Sequence, residues 1–564
     1  ELLGVLRNVY VCYFLSGGLG LIYQVLWLRK LLLVFGSTAH AVSTVLTVFF
    51  GGLALGSWLF GRLIDRRRPD AGLPAAARQQ AGLRWYALLE LGIGAYAFIT
   101  LPLFDAIQQV YIPIFRDSGF SPRVLVGASF ACSAAILLLP TVLMGGTFPL
   151  LSRFLIRTSG ERGVKIASLY GINTAGAMAG TLFVYYAGLP VLGLARTLQC
   201  AGILNLGIGM LCLAFDRHLQ VLGFHPPSRS ASPSEAAGAE IPGAARWLFL
   251  AFGLSGFSAM VYEVAWTRAL SLVLGSSTYA FCIMLATFLG GMALGSGLAR
   301  QHLRSAAGTV GFFIAVELAL GIYGLLSIPL FSQLPEWLVT LWPLTNPSFT
   351  AISWLQFSLS SFAMLMPTLF MGILFPVVSD LVTNRFARLG QRLGTAYAIN
   401  TLGGILGSFL SGFVLIPRWG LPWAIVCAAL VNLLAAFLVR VRLSAHPGPF
   451  ARSATAAASL GLAGVLSVLV IVPSWKRQVF AAGVFMNPDA YRATSVANEV
   501  AGTSLLFYRD SLNATVSVHR LGESLFLKVG GKTDASNGID MGTQVLSAHI
   551  PLLLHPDPNR VLVI

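Results

Sequence analysis

Three glutamates, Glu90, Glu263 and Glu317, lie within long apolar stretches of this 564-residue sequence. An ionisable group in an apolar membrane helix is a candidate for lining a transport path, because burying an unpaired charge is costly. The alternative is an ion pair. Glu90 and Glu317 are predicted to lie a turn or two from the cytoplasmic helix ends, near loop arginines, and Glu263 lies close to Arg268. For all three we favour the ion pair.

Two asparagines, Asn173 and Asn400, form a second group of candidates. Each follows a tyrosine in the pattern Tyr-x-x-Asn-Thr, within a stretch rich in glycine. Amide side chains on small-residue membrane helices commonly hydrogen-bond between helices, and we favour that role over substrate binding. Four aromatic residues are predicted to anchor the helices at the membrane interface: Tyr23, Trp27, Tyr262 and Trp266.

The composition places the chain among multi-pass membrane proteins. Hydrophobic residues make up 56% and charged residues 10%, with a mean hydropathy of +0.77. The net charge is +16, but residues from Ser474 onward carry 8 basic and 7 acidic side chains, so almost all of the excess lies in the membrane part. We interpret this excess as basic residues in the loops, which set the topology of the membrane helices. We expect lipid and protein partners in a membrane complex, and no nucleic acid. The six cysteines are predicted to be core residues, without metal spacing.

Thirteen apolar segments are long enough to span about 30 Å of hydrocarbon. The first six are 9–28, 39–61, 86–104, 124–150, 166–188 and 195–215, and the next six are 247–267, 278–299, 309–331, 351–379, 393–416 and 421–439. The thirteenth is 454–473. The predicted domains are a first membrane repeat (1–221), a cytoplasmic linker (222–246), a second membrane repeat (247–443), a region containing the thirteenth helix (444–475) and a C-terminal domain (476–564).

The two sets of six segments are copies of one another. Leu15 to Ser37 aligns with Leu254 to Ser276 at an offset of 239, which pairs Gln24 with Glu263. Further along, the offset is 227, which pairs Glu90 with Glu317, Asn173 with Asn400 and Asn205 with Asn432. A repeat of this length predicts two halves of the same architecture.

Arginine-rich loops follow the even-numbered segments, whereas the opposite loops contain few arginines. Because Lys and Arg are retained on the cytoplasmic side, the N-terminus is predicted to be cytoplasmic and the two halves parallel, in the inner (plasma) membrane. With thirteen spans, the residues from Ser474 onward are predicted to lie on the extracytoplasmic side.

The loop from Gly61 to Arg68, GRLIDRRR, resembles the G-x-x-x-D-R-x-G-R-R loop of the major facilitator superfamily. The resemblance implies an all-α polytopic fold of two parallel six-helix repeats. Here, Arg68 stands where the second glycine of that pattern is expected.

The C-terminal residues change to strand-like alternation. Ala514 to His519 and Ser524 to Val529 predict a β-hairpin, Asp540 to His549 a helix closed by Pro551, and Arg560 to Ile564 the first strand of a Rossmann-like sheet. This order resembles the N-terminal part of the spermidine/spermine synthase family of aminopropyltransferases. The positions that match are Gly531, His549, Pro551, Leu552, His555, Pro556, Pro558, Val561, Leu562 and Ile564.

The resemblance implies substrate- or cofactor-binding positions at Asp534, Asp540, Thr543, Gln544 and His549, and a nucleoside of the S-adenosylmethionine type as ligand. Asp534 replaces the family's glutamine, and Thr543-Gln544 replaces its Tyr-His pair, which argues against the usual polyamine pocket. The family's glycine loop and catalytic Asp are not within residues 1–564. We therefore expect trimmed ends, no catalytic residue and no aminopropyl transfer by this chain.

Three hypotheses follow. The first is a membrane-bound protein of the aminopropyltransferase superfamily with altered or lost polyamine chemistry. The second is a non-catalytic subunit or scaffold of a membrane complex. The third is a facilitator-type transporter of a cation or polyamine, with Glu90, Glu263 and Glu317 lining the path.

Overall fold

A computed structural model of the chain describes residues 2–561, apart from 37–38, 67–74, 118, 120, 157–160, 222–243, 305–308, 347, 384–387, 444–460, 462–463, 466–467, 469–470, 494 and 539. Residues 222–243 of the predicted linker, most of the predicted thirteenth segment and residues 562–564 of the predicted final strand lie outside this part of the chain.

Twelve helical crossings form the membrane bundle in the described residues, and they match the twelve segments predicted for the two repeats. Two of these segments, 166–188 and 393–416, continue past the fifth and eleventh helices into the π-helical segments that follow. The first half has α1 (Leu2–Phe35), α2 (Ala39–Arg66), α3 (Ala75–Asp117), α4 (Pro122–Leu155), α5 (Arg162–Phe183) and α6 (Gly193–Val221). The second half has α7 (Ala244–Leu274), α8 (Thr278–Arg304), α9 (Thr309–Phe331), α10 (Phe349–Val382), α11 (Leu389–Leu410) and α12 (Leu421–Leu443).

The helices α5 and α6 belong to one helical run of 60 residues, Arg162–Val221. A straight helix of that length would extend roughly 90 Å, about three membrane thicknesses, so the stretch must contain two crossings. The reversal comes after a π-helical segment, Val184–Leu192, which contains Pro190 and ends at Gly193 with φ of 73°. The second half repeats this joint after α11, with a π-helical segment at Ser411–Leu415 and Gly420 at φ of 86°.

Glycines allow close contact within and between the halves. In the first half α1 packs against α5, and in the second half α7 packs against α11. A Cβ atom added at Gly180 would overlap the backbone of Gly18, so only glycine permits this approach. The halves meet along two seams, where α2 packs against α11 and α5 packs against α8.

The direction of the helices defines two ends of the bundle. We call the end at which α2, α4, α6, α8, α10 and α12 terminate the even end, and the opposite end the odd end. The predicted cytoplasmic loops are those of the even end.

The C-terminal residues form an antiparallel sheet of four strands in the order β1-β2-β3-β4: β1 (Ser504–Asp510), β2 (Thr515–Leu521), β3 (Ser524–Val529) and β4 (Lys532–Ser536). The predicted hairpin is confirmed as β2 and β3, with Leu521 paired to Ser524 and Gly522 at φ of 60° in the turn. The helix after the sheet, α13 (Met541–Leu554), is longer than predicted. It continues through Pro551 because the carbonyl that loses its N–H partner belongs to Ser547, which is exposed.

The sheet region docks onto the odd end of the second half. Arg268 Nη2 donates to the carbonyl of Leu512 at 2.8 Å, and the Leu421 amide donates to Asp510 Oδ2 at 3.2 Å. A second pair of contacts joins Glu336 to the Val496 amide at 3.0 Å and Trp342 to Asp489 at 3.3 Å. All four membrane-side residues belong to the second half.

Candidate functional site

A cavity of about 340 Å³ lies between the two halves, lined by α1, α2, α4, α5, α7, α8, α10 and α11, with single contributions from α3 and α6. Three of the sequence candidates line it: Glu263, Asn173 and Asn400. Glu263 is the only carboxylate among the lining residues, and none of them is Lys, Arg or His. The cavity wall is otherwise apolar, aromatic or uncharged.

Glu263 faces the cavity from α7 and is partly exposed. No hydrogen bond or ion pair to it occurs in the described part of the chain. The predicted ion pair with Arg268 is wrong, because the guanidinium of Arg268 bonds the Leu512 carbonyl instead. Five residues of α-helix rotate a side chain by about 140°, so the two groups point to different surroundings.

Glu90 lies behind the cavity wall and is fully buried on α3. Its Oε1 accepts a hydrogen bond from Ser16 Oγ at 2.5 Å, and its Oε2 accepts one from Asn205 Nδ2. Tyr23 in turn donates to Asn205 Oδ1 at 2.8 Å. The predicted pairing with loop arginines is wrong, because uncharged donors from α1 and α6 surround the carboxyl group. Ser16, Tyr23 and Asn205 all line the cavity and connect Glu90 to it.

Glu317, the repeat equivalent on α9, is also fully buried and bonds Asn432 Nδ2 at 2.6 Å. Here too the predicted pairing with loop arginines is wrong. The hydrogen-bond network around Glu317 is less complete than the one around Glu90. In the described part of the chain, Glu317 Oε1 and Asn432 Oδ1 have no well-formed hydrogen bond. Tyr262 donates instead to the Leu320 carbonyl at 3.4 Å.

Sequence reasoning missed Ser16 and Asn205 as members of the site. The signal was present in the repeat, because Ser16 and Ser255 are equivalent, as are Asn205 and Asn432. A polar residue kept in both copies of a membrane repeat marks a position that faces protein or a cavity rather than lipid.

Both asparagine candidates lie at helix contacts as well as at the cavity. Asn400 Nδ2 donates to the Phe252 carbonyl of α7 at 3.0 Å, which joins α11 to α7. The backbone of Asn173 lies against Gly17 of α1. Their predicted role as links between helices is compatible with this placement, and so is contact with a ligand.

The aromatic residues predicted at the membrane interface are buried inside the bundle. Tyr23 stacks on Trp27 with ring centroids 5.0 Å apart, and Tyr262 stacks on Trp266 at 4.5 Å. None is more than 1% exposed, and Trp266 donates to Ser327 at 3.1 Å. The prediction of interfacial anchoring is therefore wrong: these rings pack against neighbouring helices.

Four aromatic residues, which we call the aromatic quartet, form part of the cavity wall: Phe148, Tyr170, Phe375 and Tyr397. Each half contributes one Phe and one Tyr at repeat-equivalent positions. Tyr170 stacks on Phe375 at 4.6 Å, and Phe148 lies parallel to Tyr397 at 6.4 Å. The two tyrosines are eight residues from the starts of α5 and α11, roughly 12 Å from the even end.

Polar contacts join the two halves at the even end. Asp65 Oδ2 accepts from the Gln391 amide, in the first turn of α11, at 2.7 Å, and Arg153 lies 3.8 Å from its other oxygen. On the second seam, Arg162 donates to the Thr383 carbonyl at 2.7 Å and lies 3.5 Å from Asp380. These contacts lie at the even end, beyond the quartet. Gly61 and Asp65 of the predicted loop motif are described, whereas residues 67–68 are not.

The candidates in the C-terminal region do not converge on a pocket. Gln544 donates to Asp540 Oδ2 at 2.8 Å, and Ser536 donates to the other oxygen of Asp540. The Ser536 hydroxyl holds the pKa of the Asp540 carboxyl below its usual value. The remaining three candidates are exposed or nearly so: Asp534, which lies 3.4 Å from Lys532, Thr543 and His549. None of the five lines the cavity.

No protein-family model matches the sequence, and no curated protein matches it. A bacterial homologue of the iron transporter ferroportin, in an outward-facing state with soaked iron, has a similar structure. The TM-score is 0.51 at 12% identity, over 78% of this chain and 99% of that chain. The major facilitator superfamily transporter FucP in its outward conformation gives 0.46 at 14% identity, over 78% and 98%. A mutant of the nucleoside transporter NupG gives 0.44 at 12%, over 78% and 100%. At these identities the likeness shows the fold alone: the chain is a multi-pass membrane protein with a major-facilitator-like fold.

Proposed function

We propose that the chain is a facilitator-type transporter of an organic cation, which binds in the cavity between the two halves. The observation that carries this proposal is Glu263, a carboxylate that faces the cavity without a cationic partner among the described residues. The fold likeness favours this transporter hypothesis over the synthase-like one.

The chemistry of the cavity suits a cation with an apolar body. A carboxylate in a desolvated cavity is stabilised by a bound cation, whereas a bound anion would be repelled by it. The faces of the quartet and of Tyr13 add attraction for a cation through their π electrons. The absence of Lys, Arg and His from the lining leaves no group there to pair an anionic substrate.

The architecture supplies a route for alternating access. The cavity lies at the interface of two parallel repeats, where rocking of one half against the other can expose it to either side. The polar contacts at the even end would break when that side opens. With the arginine-rich even end in the cytoplasm, the C-terminal region lies on the opposite side of the membrane.

Binding of organic cations to the purified chain tests the proposal. The probes are radiolabelled choline, radiolabelled spermidine and ethidium. We expect at least one to bind the wild-type chain, and the Glu263→Gln variant to lose at least tenfold in affinity for it.

Glu317→Gln is the matched control, because it removes a carboxyl of the same half that does not line the cavity. It should bind like the wild type. Failure of the wild type to bind all three probes, or equal binding by Glu263→Gln, would refute the proposed function.

A further inference from the structure

We propose that Glu90 is a proton-binding site that exchanges its proton with the cavity through Ser16, and that this exchange couples cation transport to a proton gradient. The coupling rests on the proposed function, whereas the proton site stands on the geometry around Glu90.

The carboxyl group of Glu90 is held so that both of its protonation states are satisfied. As a carboxylate it accepts from Ser16 and from Asn205, whose amide is oriented by the hydroxyl of Tyr23. As a carboxylic acid it can donate its own proton to Ser16 Oγ, because a hydroxyl group both donates and accepts. Ser16 then turns its proton towards the cavity, which it lines. Neither state leaves a buried polar atom unpaired.

Among the residues that the structure describes, no cation lies beside Glu90 to fix it as a carboxylate. The ionisable side chains that face it are Cys12, Tyr13 and Tyr23 from α1, Cys212 from α6 and Tyr86 from its own helix. None of these side chains can carry a positive charge. A proton is therefore the species that can offset the charge of Glu90 within the described surroundings.

The second half provides the contrast. Glu317 Oε1 has no well-formed hydrogen bond, and its near neighbour is the hydroxyl of Ser255. Asn432 and Tyr262, the equivalents of Asn205 and Tyr23, do not line the cavity. An acceptor oxygen without a well-formed hydrogen bond disfavours the carboxylate, whereas the protonated acid can donate to Ser255. Ser255 lines the cavity as Ser16 does, so the two sites differ in the carboxylate state: both oxygens of Glu90 accept hydrogen bonds, whereas Glu317 accepts a well-formed one at a single oxygen. We therefore infer that Glu90 exchanges its proton more readily than Glu317.

The exchange moves one proton and breaks only O–H bonds. When a proton arrives from cavity water, Ser16 Oγ accepts it and passes its original proton to Glu90 Oε1. Release reverses these two transfers. A cation bound at Glu263 attracts the negative charge of Glu90 behind the cavity wall and so favours the unprotonated state of Glu90. By linkage, protonation of Glu90 weakens cation binding. One monovalent cation then exchanges for one proton without net charge movement.

Infrared difference spectra of the purified chain between acidic and alkaline pH test the proton site without any substrate. We expect the carbonyl band of protonated carboxyl groups to change more with pH in the wild type and in Glu317→Gln than in Glu90→Gln. The other carboxyl groups that titrate, Glu263 among them, contribute to all three spectra, so the difference between the spectra isolates Glu90. Ser16→Ala should slow the exchange, and Ser16→Thr should restore it. A band change of the same size in Glu90→Gln and in the wild type would overturn the proposal.

Uptake into proteoliposomes tests the coupling, with whichever of choline, spermidine or ethidium binds. In the wild type an imposed pH gradient should raise accumulation at least tenfold. Glu90→Gln should lose this increase but keep exchange of labelled for unlabelled cation across the membrane, which also shows that it folds. Gradient-driven accumulation by Glu90→Gln would refute the coupling. Absence of uptake of all three cations by the wild type would refute the transport function instead, with the infrared result still deciding the proton site.

Discussion

Glu263 and Gln24 occupy equivalent positions in the two halves, and both line the cavity. One copy carries a charge and the other an amide, so the cavity is electrostatically asymmetric although its framework is repeated. Sequence reasoning could identify Glu263 as unusual, because a charge in an apolar helix is visible in the pattern. It could not identify the partner, because the rotation that separates Glu263 from Arg268 depends on the packing of α7 and on the docked C-terminal region.

Restoring symmetry with a second carboxylate should change selectivity. In Gln24→Glu the cavity would hold two lining carboxylates, which favours a polyvalent amine over a monovalent one. We expect the affinity for spermidine to rise by roughly tenfold relative to choline, about 1.4 kcal/mol. Competition between the two cations measures this ratio, with Gln24→Met as the uncharged control. An unchanged ratio would count against a cavity in which charge sets selectivity.

His519 should make the C-terminal sheet sensitive to acid. Burial, with Lys528 nearby, lowers the pKa of His519 to about 4. The unfolded chain binds a proton below roughly pH 6.5, whereas the folded sheet does not. The stability that neutral His519 contributes to the sheet is therefore fully present above about pH 6.5 and is lost as the pH falls towards 4. Proteolysis of the sheet should accelerate in that range in the wild type.

The variant His519→Gln should lose this dependence. Because both proteins are digested at the same pH, the intrinsic pH response of the protease cancels. An identical acceleration in the variant would show that another group is responsible.

At the scale of helices and strands, hydropathy alone located all twelve crossings of the two repeats. The reason is physical: each helix must present about 20 apolar residues to span the hydrocarbon, and that length leaves a clear signal. The π-helical joints after α5 and α11 were not predicted, because they depend on where a proline and a glycine fall relative to the packed neighbours. The length of α13 was mispredicted for a similar reason, since an exposed helix tolerates Pro551.

The contact between α1 and α5 should depend on Gly180. A methyl group there would overlap the backbone of Gly18. We expect Gly180→Ala to destabilise the bundle by about 1–3 kcal/mol through overpacking. Gly207→Ala is the control, since an added Cβ has open space on exposed α6. It should be neutral or slightly stabilising. Thermal unfolding in detergent compares the two, and equal stability would contradict the close approach.

The joint between β1 and α12 should depend on Asp510. This carboxylate accepts from the Leu421 amide at the start of α12 and from Thr515 Oγ1 at 2.7 Å. Asp510→Ala leaves both donors buried and unpaired, at a cost of about 1–3 kcal/mol. We expect faster proteolytic release of the sheet region. In Asp534→Ala, which removes an exposed carboxylate, the sheet region should be released at the wild-type rate. Equal release rates in the two variants would contradict a role of Asp510 in this joint.

The whole molecule combines two repeated halves with a C-terminal region that docks on one of them. Four residues of the second half hydrogen-bond to that region: Arg268, Glu336, Trp342 and Leu421. Rocking of the halves would therefore carry the sheet along with the second half. The repeat in the sequence predicted the paired halves, whereas this docking could not be predicted, because it joins residues more than 80 positions apart in the chain.

Uptake of organic cations by the purified chain in proteoliposomes tests the central claim most directly. With choline, spermidine and ethidium as probes, we predict that at least one enters vesicles containing the wild type or Glu317→Gln. Vesicles containing Glu263→Gln should take up that cation at least tenfold more slowly. The account is contradicted if none of the three enters wild-type vesicles, or if Glu263→Gln transports as fast as the wild type.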